Sequence, residues 1–331
     1  MLKVQIIEIN NSQEWDALFS EYSDCTLFHT CFWSQVIENT YQIKGYLLEF
    51  LQDGEQIGLI PVWLTKKAGL TLAGSPLRQT ATHFCGPLLK KRINIDLALE
   101  SLYKFLSENF GVNYLDITLP KPANQAKFLK WNVKIPKTFI LDLNRSEQEI
   151  WKSFEGRMRT AVRKAEKSGV EIQVLQVSDR EIDVFYGMLE KVYRRYEIKP
   201  PFPKSFYKNL LIPQSPYAFL YGARFEEHWI AMALILKYRD WMNYHSAASL
   251  REYGKFGANN LLQWKVILDG LKEGIKMYDL GAGSGIRGIE KFKMSMRPYK
   301  AYYQNMWRAN LIGSLARTIY EKILPWMRKI K

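Results

Sequence analysis

Two stretches of this chain write the same pattern. "NIDLALESLYKFLSENFGVNYLDI" (94–117) reads as a helix, then Gly111, then a short strand reaching Asp116. "ANNLLQWKVILDGLKEGIKMYDL" (258–280) reads the same way, with Gly274 and Asp279, and both pairs share an offset of 163 residues. The glycine suits a helix C-terminus, where a left-handed backbone is needed. Upstream of each copy lies a tight turn and strand, "DGEQIGLIPVWL" (53–64) and "FEEHWIAMALIL" (225–236). These sit about ten residues off the same register, a difference that loops absorb. Each half therefore runs hairpin, connection, helix, strand. A chain that writes one unit twice is expected to fold as two copies of it. The fold class is α/β, of the mixed-sheet α+β kind, in two tandem units.

Between the copies, Ser146 and Glu149 form a capping box. Trp151, Phe154, Met158, Ala161 and Ala165 recur at helical spacing and make one apolar stripe. Gly169 ends that helix and "VEIQVL" opens a strand. The expected organisation is an N-terminal unit over 1–145, a second over 146–305, and a basic amphipathic helix over 306–331. In that last segment Ile312, Leu315, Ile319, Ile323, Trp326 and Met327 follow helical spacing. It docks back on the first unit or contacts anionic lipid.

Charge divides unevenly between the halves. Residues 1–150 hold 15 Lys+Arg and 16 Asp+Glu, whereas 151–331 hold 32 and 17. The second half is expected to meet an anionic partner: a phosphorylated, nucleotide-linked or lipid-linked acceptor, tRNA, or an anionic membrane surface. No apolar run approaches the roughly 18 residues that span a bilayer, and "MLKVQIIEIN" has no signal-peptide pattern. Cys25, Cys31 and Cys85 read as free thiols. Neither they nor His29, His83 and His228 have metal-ligand spacing. The expectation is a metal-free cytoplasmic monomer, peripheral at most to the inner membrane face. No heptad array long enough for a coiled-coil arm is present.

"YDLGAGSGIRGIEKFK" (278–293) has the look of a methyltransferase glycine loop: apolar strand, acid, then Gly281, Gly283 and Gly285. In that fold the loop follows the first strand and most of the domain comes after it. Here 46 residues remain after Gly285, too few to supply the missing strands. A lone glycine pattern is weak without its context. S-adenosylmethionine chemistry is the disfavoured alternative. A non-catalytic membrane- or RNA-binding protein on the same fold is the other.

"WKSFEGRMRTAVRKAEKSGVEI" resembles the entry to the acyltransferase domain of FemAB-like proteins: Trp, an Arg-bearing helix, Arg-Lys-Ala, and Gly before a strand. "GANNLLQWKVILDGLKEGIKMYDLGAGSGIRGIEKFKMSM" resembles the end of the same domain. Together they cover about residues 146–300, and "LFHTCFWSQVIENTY" is a fainter match in the first half. The resemblance implies two GNAT-like domains in tandem, an N-acyltransferase, and a donor that is acyl-CoA or aminoacyl-tRNA rather than a bound cofactor. The acceptor would be an amine on a peptidoglycan or polysaccharide precursor.

Acyl transfer of this kind needs proximity, a neutral amine and donors for the developing oxyanion. Phe292 and Lys293 match the family's Phe-Lys signature, in which the lysine is implicated in transfer. A fixed ammonium would stabilise the oxyanion. Asp279, at a strand end, would orient the amine or relay its proton, or else hold the turn that follows. His245 is the histidine best placed for a base, although a strand histidine is more often a satisfied polar residue. Arg251, Gly254 and Gly257 resemble the GNAT Arg-x-x-Gly-x-Gly/Ala loop with one extra residue. With Ala258 and Asn259 they open a helix whose first amides suit a donor phosphate. Arg157, Arg159, Arg163 and Lys164 form a basic helix face for phosphate or acceptor. Tyr193 and Tyr196 are acceptor-pocket candidates, with Phe202 and Phe206 nearby.

Overall fold

The computed structural model describes residues 2–90, 93–120, 130–212, 214–282 and 287–319. The chain divides into two compact units, one of 1–136 with 302–331 and the other of 137–301.

In the first unit, chain order is β1 (Leu2–Ile6), α1 (Ser12–Ser20), α2 (Cys31–Tyr41), β2 (Lys44–Gln52), β3 (Glu55–Lys67), β4 (Leu70–Ser75), β5 (Leu88–Leu89), α3 (Ile95–Phe110), β6 (Val112–Thr118) and β7 (Asn132–Lys134). The Asp53-Gly54 turn joins β2 to β3 with φ of 52° and 88°, the signature of a tight hairpin turn. Asn94 caps α3 by accepting from Asp96 N at 2.9 Å, and Gly111 ends it at φ 62°. β4 and β6 are parallel, with Gly74 opposite Asp116. Val4, Leu48, Phe50, Ile60 and Val62 from the sheet pack on Leu99, Leu102 and Leu106 of α3.

The second unit continues with β8 (Lys137–Asp142), α4 (Glu147–Ser153), α5 (Gly156–Lys167), β9 (Glu171–Val174), α6 (Asp179–Arg194), α7 (Lys204–Leu211), β10 (Ala218–Phe225), β11 (His228–Tyr238), β12 (Trp241–Ser249), α8 (Ala258–Lys272), β13 (Met277–Asp279), α9 (Arg287–Met294) and β14 (Tyr299–Tyr302). The chain then returns to the first unit with β15 (Asn305–Ala309) and α10 (Leu311–Thr318). The sheet orders are β1-β2-β3-β4-β6-β15-β7 and β9-β10-β11-β12-β13-β8-β14, with β5 alongside β3. Read position by position, the orders repeat. β12 and β13 are parallel with Asn243 opposite Asp279, so Asp116 and Asp279 occupy equivalent positions. Both sheets mix parallel and antiparallel pairs.

The strand beside each parallel pair comes from a distant part of the chain. β6 is flanked by β15, which returns to the first unit after the second is complete, and β13 by β8, the strand that opens the second unit. The unit boundaries therefore fall at 136/137 and 301/302. Residues 137–145, expected with the first unit, belong to the second. The 306–331 segment does not begin as a helix, because β15 completes the first sheet.

The helix expected from Ser146 to Gly169 is two helices. Phe154 and Glu155 are both extended, with ψ of 149° and 147°. Glu155 N donates instead to Ser295 O, and Arg159 donates to the carbonyls of Lys152 and Phe154 that the break leaves open. The break rotates the stripe. Met158, Val162 and Ala165 are the buried row of α5, packed on Leu262 and Val266 of α8, while Ala161 turns toward Gly257.

Candidate active site

Three consecutive residue pairs hold β12 to β13, and the last is Asn243 with Asp279. β13 stops there, while β12 runs on to Ser249. On the other edge of β12 the ladder to β11 skips His245, leaving a bulge between Tyr244 and Ser246. Bulges re-aim side chains and release a strand from its neighbour. The strands thus part at Asp279, and that parting defines the site.

Asp279 is 2% exposed. Its Oδ1 accepts from Thr138 Oγ1 at 2.5 Å and from Gly281 N at 2.8 Å. Asn243 Nδ2 donates to its carbonyl at 3.2 Å. Lys293 projects from α9 and is buried too. Its Nζ donates to Ala282 O at 2.7 Å and lies 5.7 Å from the centre of the Tyr244 ring. Burial pulls the ammonium down to about 8, and the Asp279 charge opposes that fall. Gly281 turns the chain beside Lys293, and its left-handed backbone is what favours glycine there. Its φ is 70°, and a Cβ there would sit 3.5 Å from Lys293 Nζ. Gly283 and Gly285 lie outside the described residues.

Tyr244 links this centre to α8. Its hydroxyl donates to Asn259 Oδ1 at 3.4 Å, and burial pushes it up to about 12, with the Tyr193 hydroxyl adding to the rise. Tyr278 donates to Gln263 Oε1 at 2.7 Å. Lys293, Asp279, Tyr244, Asn259 and Tyr193 are therefore one neighbourhood. Phe292 packs at the edge of the core and fixes α9. Tyr196 is exposed.

The predicted donor loop is a short 3₁₀ turn, Arg251–Phe256, leading into α8 through Gly257 at φ 71°. No side chain caps α8. Its first amides, Ala258 and Asn259, have no acceptor within the helix, an arrangement suited to phosphate. The glycines differ in role. A Cβ on Gly257 would come within 2.6 Å of Ala161 O, so this glycine is required by the approach of α5. A Cβ on Gly254 would meet nothing within 4 Å.

Other expected residues are engaged elsewhere. Arg157 pairs with Glu155 at 2.6 Å and donates to Lys291 O at 2.8 Å, Arg159 closes the α4–α5 corner, and Arg163 lies over the Trp151 ring. Lys164 is exposed in the last turn of α5. His245 packs between Phe202 and Phe206 and hydrogen-bonds Ser246 Oγ at 3.0 Å. Its cluster is aromatic and is not the one formed by Lys293 and Asp279. Asp116 repeats the position of Asp279 but not its setting. It accepts from Tyr114 at 2.8 Å and from Asn305, and pairs with Arg78 at 3.5 Å. Thr138 and Tyr244 were not singled out in the sequence. Tyr244 adjoins His245, but only the bulge reveals which way it turns, and Thr138 lies on β8, a strand the sequence reading places with the first unit. No cluster of metal-ligating side chains occurs among the described residues.

Residues 152–300 match the family described as "Acetyltransferase (GNAT) domain". A search among curated proteins finds no match. Among solved structures, FemX is 14% identical, covering 91% of this chain and 96% of its own, with a TM-score of 0.69. L-PGS from Bacillus licheniformis is 13% identical over 91% of this chain and 92% of its own, with a TM-score of 0.58. A tandem GNAT protein from the clavulanic acid biosynthesis pathway is 11% identical over 93% of this chain and 98% of its own, with a TM-score of 0.57.

Proposed function

We propose, from a chain whose residues 152–300 form a GNAT-type acetyltransferase domain within a FemAB-like tandem fold, that this N-acyltransferase builds an amide on an amine of a cell-envelope precursor. The donor is acyl-CoA or aminoacyl-tRNA, the acceptor a peptidoglycan or polysaccharide intermediate carrying phosphate. The observation that carries the reading is the buried Lys293 ammonium, set where β12 and β13 part and beside the uncapped start of α8. A donor phosphate on the amides of Ala258 and Asn259 would direct the acyl group toward that parting. As the amine attacks, the carbonyl gains negative charge, which the Lys293 ammonium stabilises more in the transition state than in the ground state. The tetrahedral intermediate then collapses, and the proton given up by the nitrogen passes to the departing thiolate or ribose oxygen, which leaves as a thiol or hydroxyl. Asp279, held by Thr138 and the Gly281 amide, keeps Lys293 charged and the turn in place.

The test is donor-dependent amide formation. Acetyl-CoA and aminoacyl-tRNA would be offered in turn with amine acceptors, and product mass recorded. Lys293→Ala should lower kcat roughly 10²-fold or more, the scale of losing one oxyanion partner, while Lys291→Ala changes little. Equal mild losses in both variants would remove Lys293 from catalysis. No turnover with either donor would leave a binding protein on an acyltransferase fold.

A further inference from the structure

Helix α10 is docked by one face and bare on the other. Gly313 meets β6 so closely that a Cβ there would lie 2.2 Å from Asn113 O. Arg317 Nη1 donates to Tyr114 Oη at 2.8 Å, and its guanidinium sits 3.4 Å over the Trp307 ring. These contacts fix the rotation of the helix. They leave Leu311 90%, Ile312 62%, Leu315 64% and Ile319 42% exposed. At about 100° per residue these four fall in one stripe roughly 100° wide, opposite Gly313 and Arg317. Leu311 is the most exposed large apolar side chain among the described residues. A contiguous apolar stripe on a protein surface marks a partner.

Charge says which partner. α10 carries no acid. The sequence that continues from it adds Lys322, Arg328, Lys329 and Lys331 against Glu321 alone, and it adds the interface-seeking Trp326. A second copy seated stripe to stripe would bring these like charges together across a two-fold axis. An anionic lipid surface would attract them. No helix among the described residues is long and apolar enough to cross a membrane. We propose that the Leu311, Ile312, Leu315 and Ile319 stripe of α10 docks flat on the surface of an anionic lipid bilayer. The helix lies in the plane of the interface with its apolar stripe among the acyl chains, and Gly313 and Arg317 hold the first unit against it.

Sedimentation of the full chain with vesicles tests this without reference to acyl transfer. Vesicles of phosphatidylglycerol and phosphatidylcholine should carry the protein down, and phosphatidylcholine alone should do so at least tenfold less well. Salt at about 0.5 M should weaken the binding, because charges at a wet interface are screened. The double variant Ile312→Asp, Leu315→Asp should bind anionic vesicles at least tenfold more weakly with an unchanged melting curve, since both side chains are exposed. Failure of the wild type to bind, or equal binding by the double variant, overturns the proposal. So does a wild-type dimer in solution that the double variant abolishes while vesicle binding is absent.

Discussion

Lys293 behaves unlike an ordinary lysine because burial weakens its hold on the proton. The role assigned to it fixes the sign of a pH profile. An oxyanion partner must be charged, so kcat should fall as pH rises through about 8, and Lys293→Arg should lose that limb. A rise through the same pH would instead mark a general base. Stability carries the opposite sign. The folded group releases its proton near 8 and the unfolded one near 10.5. Between those values the unfolded state binds more protons, so this group makes the fold more stable as pH rises. Below about 8 its burial cost is present in full. Lys293→Met should therefore gain stability over wild type at pH 7, and the gain should shrink by pH 10, read as denaturant midpoints. Thr138 offers a second test. Thr138→Val removes the hydroxyl that donates to Asp279 Oδ1, and a hydrogen bond to a charged group contributes about 1.5–3 kcal/mol. A loss of kcat of roughly tenfold or more is expected with KM for donor unchanged. Lys293 and Asp279 were legible in the sequence because both lie in one short motif. Thr138 and Tyr244 were not, since each depends on which strand or face it meets across the fold.

Among the elements, α8 holds the predictions about the donor. Gly257 looks like a ligand glycine in the sequence, yet its φ of 71° and its contact with Ala161 O give it a packing role. Gly257→Ala should destabilise the fold by about 1–3 kcal/mol through backbone strain and the clash with α5, so it reports little on binding. Gly254→Asp is the cleaner probe. It has open space and an ordinary backbone, and it brings a carboxylate toward a helix N-terminus where a phosphate would lie. Donor KM should rise several-fold with the melting temperature unchanged, and an unaltered KM would remove the loop from the donor site. Helical periodicity located α5 and α8 but missed the break at Phe154–Glu155. The apolar spacing runs on through the break, so the pattern of apolar residues does not register it. The stop comes from a tertiary bond, Glu155 N to Ser295 O, that no local sequence encodes.

At the scale of the molecule, the duplicated helix–Gly–strand pattern located β6 and β13, and with them Asp116 and Asp279. It did not locate the boundaries. A strand such as β8 or β15 reads the same in sequence whichever sheet receives it, and only the ladders decide. Excision tests this directly. A fragment of 146–305 lacks β8, the strand that pairs β13, whereas a fragment of 137–302 keeps every strand of its sheet. The first should be protease-sensitive and aggregate, and the second should give a cooperative thermal transition. Equal behaviour would mean that β8 is dispensable to the second unit.

The late strand β15 also imposes an order of events on synthesis. A ribosome delivers the chain from the N-terminus, and Asn305–Ala309 emerges only after every strand of the second unit. Until then β6 has a neighbour on one edge only, and β7 has no described ladder partner at all. The nascent first unit thus waits with an open strand edge while the whole second unit is made, and an open edge invites pairing with another chain. The unit born first is closed only after the second is complete, and a polypeptide released before residue 305 carries a finished second sheet beside a first sheet still open at β6.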